Sequence, residues 1–234
     1  MDSFESNIIR ENIKRVRGAI AEAAIKSGRQ PGDIMLVAAA KTKPAGHIRQ
    51  AIGAGIDAVG ENRVQEMLKK NQQGAYEGAP LHFIGHLQSN KVSKVVGVCD
   101  LIESVSSKAL MEAIGKKADI MGIRQDVLIE VNIGREPQKS GILPEQLDEI
   151  LQLASGTRGI KVLGLMSIPP FPEENDRYCY YFDIMFKLFV DMREKKYDNV
   201  SVRFLSMGMS DSYTDAILAG SNMVRIGTAI FGER

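Results

Sequence analysis

Eight short apolar runs, each followed by a stretch of helical periodicity, predict an α/β fold of the (β/α)8 TIM-barrel type. The alternation is unbroken by any linker rich in Pro, Gly or Ser, and by any low-complexity segment. Its 234 residues are a length that α/β barrels use as one domain, so residues 1–234 are expected to form a single barrel. A doubly wound open sheet shares the alternation, but eight repeats without a change in composition favour closure.

Residues 3–27 come first, as an extra helix in front of the barrel. Ile8, Ile9, Ile13, Val16, Ile20, Ala23 and Ala24 recur at three- and four-residue steps, and Ser27-Gly28 ends them. The first strand, 34–41, is seven uncharged residues running into Lys41, bounded by Pro31-Gly32 and Pro44. Such a run reads as a strand buried on both faces. A helix at 45–54 follows, closed by Gly55. Strands are then expected at 56–60, 81–85, 101–105, 126–132, 160–168, 202–206 and 223–227. The intervening helices are a stretch from Asn62 to Gly74, then 89–95, 107–121, 143–154, 174–196 (the longest) and 211–219.

Composition narrows the function. A 44% hydrophobic and 25% charged chain is that of a soluble globular protein. A net charge of +1, with Lys and Arg scattered, gives no field for nucleic acid or an anionic membrane. Cys99 and Cys179 have no CxxC spacing and no His-rich neighbourhood, so neither a disulfide scaffold nor a metal site is expected. No basic region followed by an apolar core opens the chain, and no run approaches the roughly 18 apolar residues of a membrane span. A cytoplasmic protein is the expectation.

In a barrel the carboxyl ends of all strands surround one mouth, where ligands bind. Lys41 stands at the end of the first strand, where a primary amine on low-dielectric walls is a nucleophile toward a carbonyl; the bland alternative is a solvated strand-end lysine. Strand two offers Asn62, and strand six Met166. Strand seven offers Ser206-Met207-Gly208-Met209-Ser210, and strand eight Arg225-Ile226-Gly227-Thr228. Glycines flanked by hydroxyls at neighbouring strand ends, each leading into a helix, suit a phosphate, although Ser210 and Thr228 could equally be ordinary helix caps. A lysine able to form a Schiff base and a phosphate cup across the mouth together fit pyridoxal 5'-phosphate (PLP). Arg225 would face the ring nitrogen, keep it unprotonated, and weaken the ring as an electron sink.

At these residues the chain resembles the pyridoxal phosphate homeostasis (YggS/PROSC) family. The matching segments are 37–44, Gly60-Glu61-Asn62-Arg63-Val64-Gln65-Glu66, 82–91, Gly164-Leu165-Met166-Ser167-Ile168-Pro169, 205–211 and 224–232, in order along nearly the whole chain. Leu81 departs from the pattern, since the family more often has an aromatic there. The resemblance implies a fold-type III barrel like the N-terminal domain of alanine racemase, with PLP on Lys41. It implies phosphate contacts at Ser206, Gly208, Met209, Ser210, Gly227 and Thr228, with the choice between Ser206 and Ser210 open. Arg225 matches the arginine at the ring nitrogen, and Asn62 and Met166 match positions lining the cofactor.

Racemases and decarboxylases of this fold add a C-terminal β-domain carrying a catalytic tyrosine; here the sequence ends at Arg234, just past strand eight. A racemase also needs a second base opposite the lysine. The expectation is therefore a PLP carrier with no catalytic residues, supplying cofactor to apo-enzymes and, by resemblance, monomeric. The competing reading is an amino-acid racemase or decarboxylase with a reduced site. His82 is read as a satisfied core or rim residue, His86 as a rim residue or helix cap, and Lys139 as exposed.

Overall fold

The computed structural model describes residues 2–171 and 178–233, with only the backbone of residues 2–6. Its first strand, β1 (Met35–Ala39), pairs in parallel with both β2 (Ala58–Glu61) and β8 (Met223–Ile226), and this closes the sheet. Between them, in sequence order, stand β3 (Leu81–Phe83), β4 (Leu101–Val105), β5 (Gln125–Glu130), β6 (Ile160–Met166) and β7 (Val200–Ser206). The helices of the outer ring are α2 (Ala45–Gly53), α3 (Val64–Asn71), α4 (Lys108–Ile120), α5 (Leu147–Gly156), α6 (Cys179–Glu194), α7 (Tyr213–Leu218) and α8 (Thr228–Phe231). The leading helix is α1 (Asp2–Lys26). The architecture is the expected (β/α)8 barrel.

Side chains alternate across the strands, interrupted in β6 where the register shifts near Gly164, and this divides the core in two. Leu36 and Ala38 belong to the large apolar shell between strands and helices. Val37 joins Ala58, Leu101, Leu128, Leu163, Met166 and Met223 in a smaller cluster inside the barrel. Side chains also tie neighbouring strands together. Asp57 Oδ2 accepts the Leu36 N–H at 2.6 Å, Asp100 Oδ2 accepts that of Leu81 at 2.7 Å, and Asn222 Oδ1 accepts that of Leu205 at 2.7 Å. In each case a residue just before one strand accepts a backbone N–H of the strand before it, at the start of β1 and β3 and near the end of β7, so three pairs of neighbouring strands are braced.

The expected stripe on α1 is buried at Ile9, Ile13, Val16, Ile20, Ala23 and Ala24, but Ile8 is exposed. Adjacent helical positions lie about 100° apart, so Ile8 and Ile9 cannot both face the shell. Residues 89–94 form a 3-10 helix where an α-helix was expected. The helix expected at 143–154 begins as a 3-10 turn, Pro144–Gln146, before α5. Strand six stops at Met166, ahead of Pro169-Pro170, which cannot continue the ladder. Of the helix expected at 174–196, residues 174–177 lie outside the described residues. The observed α6 ends at Glu194, and Lys195 turns to extended backbone and pairs with Asp148.

Candidate cofactor site

β1 ends at Ala39, so Lys41 sits in a turn just beyond the strand. Its neighbour Thr42 has φ +64°, a left-handed conformation uncommon for a β-branched residue. The Thr42 N–H donates to Glu66 Oε2 at 3.0 Å, and the Thr42 hydroxyl donates to the Lys41 carbonyl at 2.6 Å. On the other side, the Ala40 carbonyl accepts from Lys70 Nζ at 2.9 Å. Lys70 also donates to Glu61 Oε1 at 2.7 Å, and Tyr76 OH donates to the same oxygen at 3.1 Å. Burial raises the Glu61 pKa, against the hydrogen bond and charge of Lys70.

A cavity of about 230 Å³ opens at the carboxyl ends of the strands, and Lys41, Asn62, Met209, Ser210, Arg225, Gly227 and Thr228 all line it. Ala39, Ile84, Ile168 and Asp211 complete the wall. A larger groove of about 900 Å³ lies between the outer helices near Arg29, Phe186 and Leu218, away from the strand ends and from all of these residues. Two glycines let the backbone close around the mouth. A Cβ at Gly85 would stand 2.2 Å from the Asn62 carbonyl oxygen, so only glycine lets the loop after β3 lie against Asn62. Gly208 has φ +96°, and a Cβ there would stand 2.6 Å from Ala216 Cβ, so the loop after β7 packs tightly on α7. The Ser210 hydroxyl then accepts the N–H groups of Gly227 and Ala229, each at 3.3 Å, and ties the loop after β7 to the start of α8.

Beneath the cavity the barrel holds a polar layer. Arg225, 4% exposed, donates to Ser206 Oγ at 2.6 Å and to the Ser167 carbonyl at 2.9 Å. Ser206 donates to Glu103 Oε2 at 2.6 Å, and the other oxygen of Glu103 meets His82 Nδ1 at 2.7 Å. Burial pushes the Glu103 pKa up, but His82, Arg225 and Ser206 outweigh it, and the pKa lies below the ordinary carboxylate value. Glu130 is the opposite case: burial, offset only in part by the charge of Arg225, pushes it up to about 7. Burial lowers the Arg225 pKa, and the charges of Glu103 and Glu130 oppose that.

Seven of the ten predicted residues therefore meet on one wall. The other three do not reach it. Ser206 points into the barrel, its hydroxyl taken by Glu103 and Arg225. Met166 is packed in the interior cluster, and Gly208 shapes its loop from behind. His82 is a satisfied interior residue, as expected, and His86 pairs with Ser140 at 2.8 Å. Lys139, expected to be exposed, is 31% exposed at its side chain; it pairs with Glu136 at 2.5 Å and donates to the Pro169 carbonyl at 3.2 Å. Glu103, Glu130, Glu66 and Lys70 are the residues that the reading of strand ends passed over. The one signal available was charge inside otherwise apolar strands, at Glu103 and Glu130.

The alanine racemase N-terminal domain family model matches residues 6–234. The pyridoxal phosphate homeostasis protein of Aquifex aeolicus is 42% identical over 224 residues, covering 96% of this chain and 97% of that one. The Escherichia coli K12 protein of the same name is 39% identical over 231 residues, covering 97% of each. Among solved structures, PipY of Synechococcus elongatus PCC7942 with PLP bound has a TM-score of 0.82 at 29% identity, covering 96% of this chain and all of that one. With near-complete coverage in both directions and one barrel architecture throughout, the chain belongs to the pyridoxal phosphate homeostasis protein family, built on the alanine racemase N-terminal barrel.

Proposed function

We propose that this barrel binds PLP covalently through Lys41 and serves intracellular PLP homeostasis, supplying the cofactor to apo-enzymes without turning over amino acids. The observation that carries the reading is that Lys41, Ser210, Gly227 and Thr228 line one small cavity. The shared name of the relatives and the PLP in PipY support it.

The residues present fit the cofactor. Asn62 is one of the residues lining the cavity, and among the described residues nothing hydrogen-bonds its buried Oδ1, an orphaned acceptor at the site. When bound, PLP supplies an aldehyde that condenses with a primary amine and releases one water. Lys41 provides that amine from the β1 end of the cavity. Ser210 and Thr228 would offer hydroxyls to a phosphate at the start of α8, where Ser210 already holds the Gly227 and Ala229 N–H groups. Arg225 lines the cavity with two of its nitrogens anchored, and it would be the residue to contact the ring nitrogen. Ser206 holds Arg225 in place, and Met166 packs beneath. The same barrel acts as one domain and as a monomer in the cytoplasm. Among the described residues no helix is long and apolar enough to cross a membrane.

The test is the visible absorption of the purified protein beside Lys41→Ala. A yellow protein whose band is lost on borohydride reduction, with no such band in the variant, is expected. A colourless protein that stays colourless with added PLP would overturn the reading. Exchange of amino-acid α-protons in deuterated water is expected to stay at background; enzyme-level exchange would move the chain to the racemases or decarboxylases.

A further inference from the structure

We infer that α3 is a clamp on the peptide groups either side of Lys41, with Glu66 and Lys70 as positioning residues for its amine. The inference rests on the proposed covalent role of Lys41 and names what holds that residue.

Lys41 needs holding because the ladder has already ended. The last sheet hydrogen bond on this segment is from the Ala40 N–H to the Gly60 carbonyl, at 2.9 Å. Beyond it the chain turns, and an amine on a free turn would sweep the whole mouth. The peptides on both sides are held from one helix. Lys70 takes the Ala40 carbonyl at 2.9 Å, and Glu66 takes the Thr42 N–H at 3.0 Å. The two are four residues apart on α3, so they project from the same face one turn apart.

Both ends of the clamp carry a cost that a passive contact would not. Lys70 is only 7% exposed, and a lysine is rarely buried unless paired. Glu61 supplies its counter-charge at 2.7 Å, and Tyr76 braces Glu61 at 3.1 Å. At the other end, Thr42 is kept at φ +64°, where a β-branched residue is strained. A charged acceptor makes the stronger kind of hydrogen bond, and Glu66 places one on that strained peptide. A third anchor follows at once: Lys43 Nζ donates to the carbonyls of Phe231 and Glu233, each at 3.1 Å. The turn is pinned before, after and beyond Lys41, whose own side chain lines the cavity.

The experiment compares Glu66→Ala, Glu66→Gln and the double variant Glu61→Gln/Lys70→Met with the unaltered full-length chain. The double variant removes both buried charges together, since Lys70→Met alone strands the Glu61 carboxylate. PLP is added to cofactor-free protein and growth of the visible band is followed by stopped flow, with thermal unfolding in parallel. Glu66→Ala and the double variant are expected to slow band formation about tenfold through lost orientation. Glu66→Gln keeps an acceptor oxygen for the Thr42 N–H and is expected to restore the rate while Glu66→Ala unfolds at nearly the unaltered temperature. Unaltered rates in both clamp variants, or a slowing that Gln does not rescue, would overturn the clamp. A second readout omits the cofactor: reductive methylation with formaldehyde and cyanoborohydride, followed at Lys41 by peptide mass spectrometry. An unclamped Lys41 leaves the cavity wall and is expected to be methylated faster in Glu66→Ala, but not in Glu66→Gln. If the unaltered chain forms no band, the covalent reading alone falls, and equal methylation rates would then overturn the clamp.

Discussion

Arg225 on β8 and Ser206 on β7 share a 2.6 Å hydrogen bond inside the barrel, and the serine hydroxyl passes a second 2.6 Å bond to Glu103 on β4. The hydroxyl thus joins a cation and an anion whose nearest atoms are 3.9 Å apart. One small side chain bonds both in the buried interior, where leaving either short is costly.

Ser206→Ala should therefore destabilise the fold. A buried partner left unsatisfied costs about 1–3 kcal/mol, and more where the group is charged. Urea unfolding is expected to show a loss of at least about 2 kcal/mol for this replacement. A variant as stable as the unaltered chain would mean that Arg225 and Glu103 re-pair directly.

Glu130 gives the fold an unfavourable pH dependence. Its folded pKa, pushed up to about 7, lies above the ordinary value of 4.5, so between those values the folded state holds a proton that the unfolded state has released. Stability contributed by this group is present below pH 4.5 and is lost as pH rises through 7. The interval corresponds to about 3 kcal/mol at most. Glu130→Gln is expected to match the unaltered chain near pH 5 and exceed it at pH 8. Glu103 runs the other way. Its depressed pKa stabilises the fold above the ordinary value of 4.5, and that stability is lost as pH falls through the folded value. Glu103→Gln is expected to be less stable at neutral pH, with the deficit closing in acid. Urea unfolding across pH separates the two, and parallel profiles for both variants would contradict the assignment.

The barrel was legible because each strand is an apolar run stopped by turn-forming residues, as at Pro31-Gly32 before β1 and Gly55 before β2. The mouth was legible for the same reason: Lys41, Ser210 and Thr228 each follow such a run. What lay hidden depends on closure. Ser206 and Glu103 are 103 positions apart, and only a sheet curled into a barrel turns both inward to meet. Lys70 and Glu66 were passed over, since helical period cannot say that their face lies over the end of β1. Ser206 and Ser210 stood equal in one loop until the alternation of β7 sent Ser206 into the barrel and the turn at Gly208 brought Ser210 to the cavity.

Gly85→Ala tests the close approach that places Asn62. The new Cβ would stand 2.2 Å from the Asn62 carbonyl oxygen and 2.6 Å from its Cα, and backbone must move. Overpacking of this kind costs about 1–3 kcal/mol, and the displacement falls on a residue of the cavity wall. Lower stability together with weaker PLP binding, read by titrating the visible band, is the expected result. Unchanged binding in a destabilised protein would separate Asn62 from the cofactor.

Ser210→Ala and Ser206→Ala should part company in two measurements. Ser210 is on the cavity wall, and its hydroxyl bonds, at 3.3 Å to Gly227 and Ala229, are long ones. Losing them should cost the cofactor-free fold less than the loss at Ser206, whose bonds are 2.6 Å and carry charge. Affinity for PLP should fall more with Ser210→Ala, because a phosphate held at this cup loses a donor and the loop that frames it loses its tie to α8. Inorganic phosphate as a competitor reports on the cup directly: its inhibition of PLP uptake should weaken in Ser210→Ala and persist in Ser206→Ala. The reverse pattern, with phosphate competition lost only in Ser206→Ala, would place the phosphate below the mouth, against the interior network.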